Sequence, residues 1–243
     1  MRSRMPLLAS VSLVAAALAG AGAASAQSLD VSNLFQSNKA DTLSNGDIVA
    51  GLKDALQVGT VNTVDLTGKV DGYFSNAAIK ILLPEKMRNV ETGLRALGQG
   101  AKVDEFVLAM NRAAEQAAPA AKDIFWGAIK SMSFDDAGKI LTGGDTAATG
   151  YFRAKTTETL TAAFRPVVKD TMDKVGVVQQ YNQLTDAYRS VPFASALPSF
   201  DVESYVVGKA LDGLFLVLAE QEKKIRTDPA AQVTDILKKV FGK

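Results

Sequence analysis

The chain has 243 residues, 47% of them apolar and 22% charged, which is enough apolar material for one substantial core and argues against global disorder. Its 27 basic and 26 acidic residues give a net charge of +1 with no concentrated basic patch beyond Lys223-Lys224 and Lys238-Lys239, so nucleic acid is not an expected partner. Histidine and cysteine are absent, which removes Ser-His and Cys-His nucleophilic pairs, the common zinc and haem ligand sets, disulfides and a lipid-modified cysteine anchor.

The first residues read as an export signal. Arg2 and Arg4 form a basic start, Leu7 to Leu18 a short apolar run, and Ala24-Ser25-Ala26 a small-residue cleavage site, so residues 1–26 are expected to be removed between Ala26 and Gln27. Removal takes two arginines and no acid, leaving 217 residues with 25 basic and 26 acidic groups and a net charge of −1. Residues 27–43 are polar and are expected to form a flexible lead-in to an all-α domain over residues 44–243.

Helical spacing begins with Ile48, Leu52, Ala55 and Leu56, with Ser44 or Asn45 placed to cap the start. Gly68 to Ile81 reads as an irregular connection, and Pro84 then precedes Met87, Val90, Leu94 and Leu97 before Gly98 stops the pattern. Val103 to Ala117 carries a stripe of Phe106, Val107, Met110 and Ala114; Pro119 opens a further helix through Phe125, Ile129 and Met132. Ser133 and Asp136 form a capping-box spacing ahead of a short helix to Leu141. Thr146 to Val175 reads as helix with a kink or break expected at Pro166, and Val178, Tyr181, Leu184 and Tyr188 mark another. After a proline-bearing loop over residues 190–200, Asp201 caps an apolar helix with Leu211, Leu214, Phe215 and Leu218 inward, and Asp228-Pro229 opens a last one. No strand-length alternation competes, so the expected fold is a single all-α multi-helix domain.

The stretch ILTGGDTAATGYFR, from Ile140 to Arg153, raises the question of a phosphate cradle. A carboxylate at Asp145 would occupy the N–H donors an anion needs, and no P-loop spacing is present. The stretch therefore reads as a corner, with Gly143 as a left-handed helix stop and Asp145 as the next helix cap. Asp135, Asp136 and Asp145 lack the alternating spacing of a calcium loop, and no metal or cofactor is expected. In MNRAAEQAA, Asn111, Arg112 and Glu115 interrupt a small apolar helix face, either as a surface ion pair or as a buried polar anchor. No catalytic residue is identified; the binding candidates are Arg112, Glu115, Asp136, Asp145, Tyr151 and Arg153.

The stretches LPEKMRNVETGLRALG, MNRAAEQA, SMSFDDAGKILTGGDTAATGYFR and QEKKIRTDPAA resemble the bacterial family described as domain of unknown function 4197, over about residues 40–243. That resemblance implies an exported envelope protein of the periplasm and supplies no catalytic residue. The expected function is non-enzymatic: a helical module taking an apolar or amphipathic, lipid-like ligand, or an envelope partner, between its helices. The alternative is a carboxylate-dependent glycan hydrolase or lyase of the cell envelope drawing on Glu115, Asp123, Asp136 and Glu158.

Overall fold

Capping chemistry sets where the helices begin. In the computed structural model, which describes residues 44–174, 176–189 and 200–228, Ser44 starts helix α1 (Asn45–Gly68) through a capping box with Asp47, and Ser133 starts α5 (Phe134–Thr142) in the same way with Asp136. Asp201 accepts the Ser204 N–H at the head of α8 (Val202–Thr227). Between them lie α2 (Arg88–Ala96), α3 (Gly100–Ala117), α4 (Ala121–Lys130), α6 (Ala147–Lys174) and α7 (Val177–Arg189). Two short 3₁₀ turns, Glu85–Met87 and Ala118–Ala120, lead into α2 and α4. No strand occurs among the described residues, and none of their helices is long and apolar enough to cross a membrane.

The elements form one compact helical domain. Helix α8 lies against α6, α1 and α3; α6 also packs on α3 and α4, and α7 closes over α3 and α2. Phe125, Phe152 and Phe215, one each from α4, α6 and α8, meet edge to face with ring centroids 5.1 and 6.1 Å apart. Buried threonines on α1 cost little, because Thr63 and Thr67 donate their hydroxyls to carbonyls one turn back at 2.7 Å.

Several boundaries differ from the sequence expectation. Apolar spacing is clear only as far as Leu56, yet α1 continues to Gly68 on a face of Gly59, Thr60, Thr63 and Val64 buried against α8 and α4. Of the kink or break expected at Pro166, a break is excluded, since α6 runs on through it; Pro166 and Ala162, whose carbonyl loses its helical donor to the proline, are both exposed residues. Leu97 ends half-exposed rather than inward, although Gly98, at φ 76°, stops α2 as expected. The lead-in, the loop over 190–199 and the helix expected after Pro229 lie outside the described residues.

Candidate functional site

Two buried carboxylates organise the molecule, each occupied by backbone donors and one arginine. The first belongs to α3. Glu115, 3% exposed, accepts the N–H groups of Tyr73 and Phe74 on Oε1, both at 3.1 Å, and the Arg112 guanidinium on Oε2 at 2.6 Å. Arg112 also donates to Asp71 at 2.6 Å; partial burial disfavours its charge, but the bonds to Asp71 and Glu115 outweigh that and hold its pKa above the ordinary value. One turn earlier Asn111 accepts from the Ile81 N–H and donates to the Ile81 carbonyl, each at 2.8 Å. Together they fasten the irregular segment 69–83 across the bundle. The MNRAAEQAA interruption is therefore a buried anchor and not a surface pair, since an unpaired polar group there would be strongly penalised.

The second carboxylate is Glu222 of α8. Its oxygens accept the Ala148 and Thr149 N–H groups at 2.9 and 2.8 Å, the Thr149 hydroxyl at 2.9 Å, and Arg226, whose guanidinium also bonds the Ile140 carbonyl at 2.8 Å. Glu222 thus supplies the negative charge that the start of α6 favours, from a distant helix. Asp145 is not that cap: it is an exposed turn residue whose carboxylate lies 3.9 Å from Lys223. Nor is Gly143 left-handed. Its φ of −79° and ψ of 175° are extended, and glycine is required because a Cβ would lie 2.5 Å from the Ala147 Cβ. The corner between α5 and α6 stands, held differently from the local capping pattern.

These anchors shape a hollow of about 500 Å³ between α6, α8 and the 78–82 segment. Thr149, gripped by Glu222, lines it, and Arg153 follows one turn along α6. Tyr205 donates to the Leu82 carbonyl at 2.8 Å and so fixes the rim. Leu82 and Leu216, 56% and 42% exposed, face the hollow beside Phe215. Arg153 and Lys209 line it with a single acid, Asp212, making the mouth positive; Lys80 also lines it, but its ammonium sits 3.9 Å from the Phe74 ring centroid, outside the hollow. The Arg153 guanidinium stands 4.5 Å from the Phe215 ring centroid, stacked on an aromatic face.

Of the six sequence candidates, only Arg153 enters this hollow. Arg112 and Glu115 form the α3 anchor. Asp136 is a cap whose acidity is increased by the Ser133 hydroxyl and N–H, and Tyr151 donates to the Ala128 carbonyl at 3.0 Å, its phenol made less acidic by burial and then by Asp136. Asp123 and Glu158 are exposed on α4 and α6. Sequence reasoning missed Glu222, Lys80, Leu82, Lys209 and Leu216. Glu222 did leave a signal: it stands four residues after Leu218 on the apolar stripe of α8, where a carboxylate needs a buried partner.

Comparison with curated proteins gives no match, and comparison with solved structures gives none. A family profile does match, over residues 42–242, a span that includes every described residue. The chain belongs to the family described as protein of unknown function DUF4197.

Proposed function

We propose that this is a non-enzymatic protein of the bacterial periplasm that holds an amphipathic, lipid-like molecule in the hollow between α6 and α8. The observation carrying this reading is the hollow's mixed lining, with the exposed side chains of Leu82 and Leu216 beside Arg153 and Lys209. Its volume falls within the range of about 300–1,000 Å³ common for small-molecule sites, and apolar walls with a few placed polar groups suit such a ligand. Export is supported by the basic start, apolar run and Ala24-Ser25-Ala26 site, and mature protein recovered from the envelope should begin at Gln27 by intact mass. Against a glycan hydrolase stands the state of the acids. A general acid needs a raised pKa, whereas Asp136 is shifted down by its capping bonds, and Glu115 is already taken by two N–H groups and Arg112.

The test is native mass spectrometry of protein purified from its own envelope, with delipidation and a thermal melt. A co-purifying amphiphile whose removal lowers the melting temperature is the expected result, because a ligand bound only to the folded state stabilises it by mass action. No bound amphiphile, together with release of soluble peptidoglycan fragments that stops in an acidic-residue variant, would overturn the reading in favour of the hydrolase.

A further inference from the structure

Arg153 differs from every other described arginine. Arg88, Arg95, Arg112, Arg165, Arg189 and Arg226 each donate a hydrogen bond to a carboxylate at 3.2 Å or less. The nearest acid to Arg153 is Asp212, at 3.6 Å, and the same carboxylate stands 3.9 Å from Lys209. Both separations exceed a charge-assisted hydrogen bond, so Asp212 is a shared counter-ion and not a bonded partner. The Arg153 guanidinium therefore keeps its donors open while Phe215 backs one face, and a second cation, Lys209, lines the same mouth. A planar fork held on an aromatic surface, with an apolar wall adjoining, is a receptor for an anion that carries a hydrocarbon chain.

Building on the amphiphile reading above, we infer that the hollow selects an anionic single-chain amphiphile, its phosphate- or carboxylate-type head on Arg153 and Lys209 and its chain along Leu82 and Leu216, with Asp212 as the weak counter-ion that the head displaces. The counter-ion role fixes an unusual sign. Removing an acid from a binding site usually weakens it, whereas here the acid competes with the ligand for the same cations. Asp212→Asn should tighten binding while leaving the shape of the site unchanged.

The experiment is isothermal titration calorimetry of delipidated protein with dodecyl phosphate, with dodecyl maltoside as an uncharged head on the same chain, and with inorganic phosphate alone, all below micelle-forming concentrations. Dodecyl phosphate should bind more tightly than the maltoside by roughly tenfold or more, the scale of a hydrogen bond to a charged group, and more tightly than inorganic phosphate. Asp212→Asn should tighten dodecyl phosphate by about three- to tenfold, an effect that shrinks as salt rises. Arg153→Gln should abolish the preference for the charged head, with Lys209→Gln as the second variant if Arg153→Gln melts far below the parent protein. Equal binding of the two dodecyl compounds would sink the anion selectivity and leave the amphiphile reading standing. Phosphate binding as tightly as dodecyl phosphate would assign the site to a free anion and overturn the inference. An Asp212→Asn variant that binds unchanged or more weakly would remove the counter-ion role. Failure of both dodecyl compounds to bind would overturn the amphiphile reading itself.

Discussion

At Glu222, one carboxylate does the work that a local cap performs for α1, α5 and α8. Because it is nearly buried with Arg226 and also takes two N–H groups and a hydroxyl, Glu222→Ala should lower unfolding free energy by about 3–5 kcal/mol, the cost of stranding one partner of a buried pair. Asp145→Ala should stay within about 0.5 kcal/mol of the parent, since an exposed acid 3.9 Å from an exposed lysine contributes little. Urea denaturation of both variants checks the pair, and the reverse ranking would restore Asp145 as the cap. Tyr73 carries a pH signature of its own. Burial, and then the Glu115 charge, push its phenol well above the ordinary value, and its hydroxyl donates to the Ala210 carbonyl at 2.6 Å. A raised folded-state pKa means a contribution fully present below the unfolded value near 10 and progressively lost as pH rises above it. Alkaline denaturation should therefore begin above about pH 10 in the parent and be blunted in Tyr73→Phe, as followed by far-ultraviolet circular dichroism.

On the element scale, α8 offers two glycines with opposite consequences. Gly208 is exposed with open space where a Cβ would go, so Gly208→Ala should stabilise by about 0.5–1 kcal/mol through helix propensity. Five residues on, a Cβ at Gly213 would lie 2.6 Å from the Tyr73 ring and 3.0 Å from the Ile79 Cβ, where the 69–83 segment crosses the helix. Gly213→Ala should destabilise by about 1–3 kcal/mol, the range for overpacking. Thermal melts of the two variants, expected to move in opposite directions, measure how closely that segment is pressed onto α8. Legibility in the sequence follows the same division. Helices α3, α4 and α8 were readable because their apolar stripes repeat at helical spacing, and the starts at Ser44, Ser133 and Asp201 because the capping residue sits beside its donors. The second half of α1 was not, because Gly59, Thr60 and Thr63 carry no apolar signal and are held by what packs on them. The start of α6 misled because its true cap lies 74 residues away.

For the molecule as a whole, the hollow was invisible in the sequence because Lys80, Arg153, Lys209 and Leu216 come from three separate elements that only folding brings together. What was visible was one of its members, Arg153, inside a stretch read as a corner. Two long-range bonds, one made by Tyr73 and one by Glu222, also bear on the order of folding. Tyr73 meets Ala210 across 137 positions and Glu222 meets Ala148 across 74, so each bond closes a long loop before it returns any energy. Such contacts are expected to form after the rate-limiting step, once the local helices have assembled. Mutations that remove them should then leave the refolding rate nearly unchanged and speed unfolding, a split that stopped-flow fluorescence of the single tryptophan, Trp126 on α4, can resolve for Glu222→Ala and Tyr73→Phe. With that outcome the Tyr73 and Glu222 bonds would be latches, setting how long the native state lasts rather than how quickly it is reached.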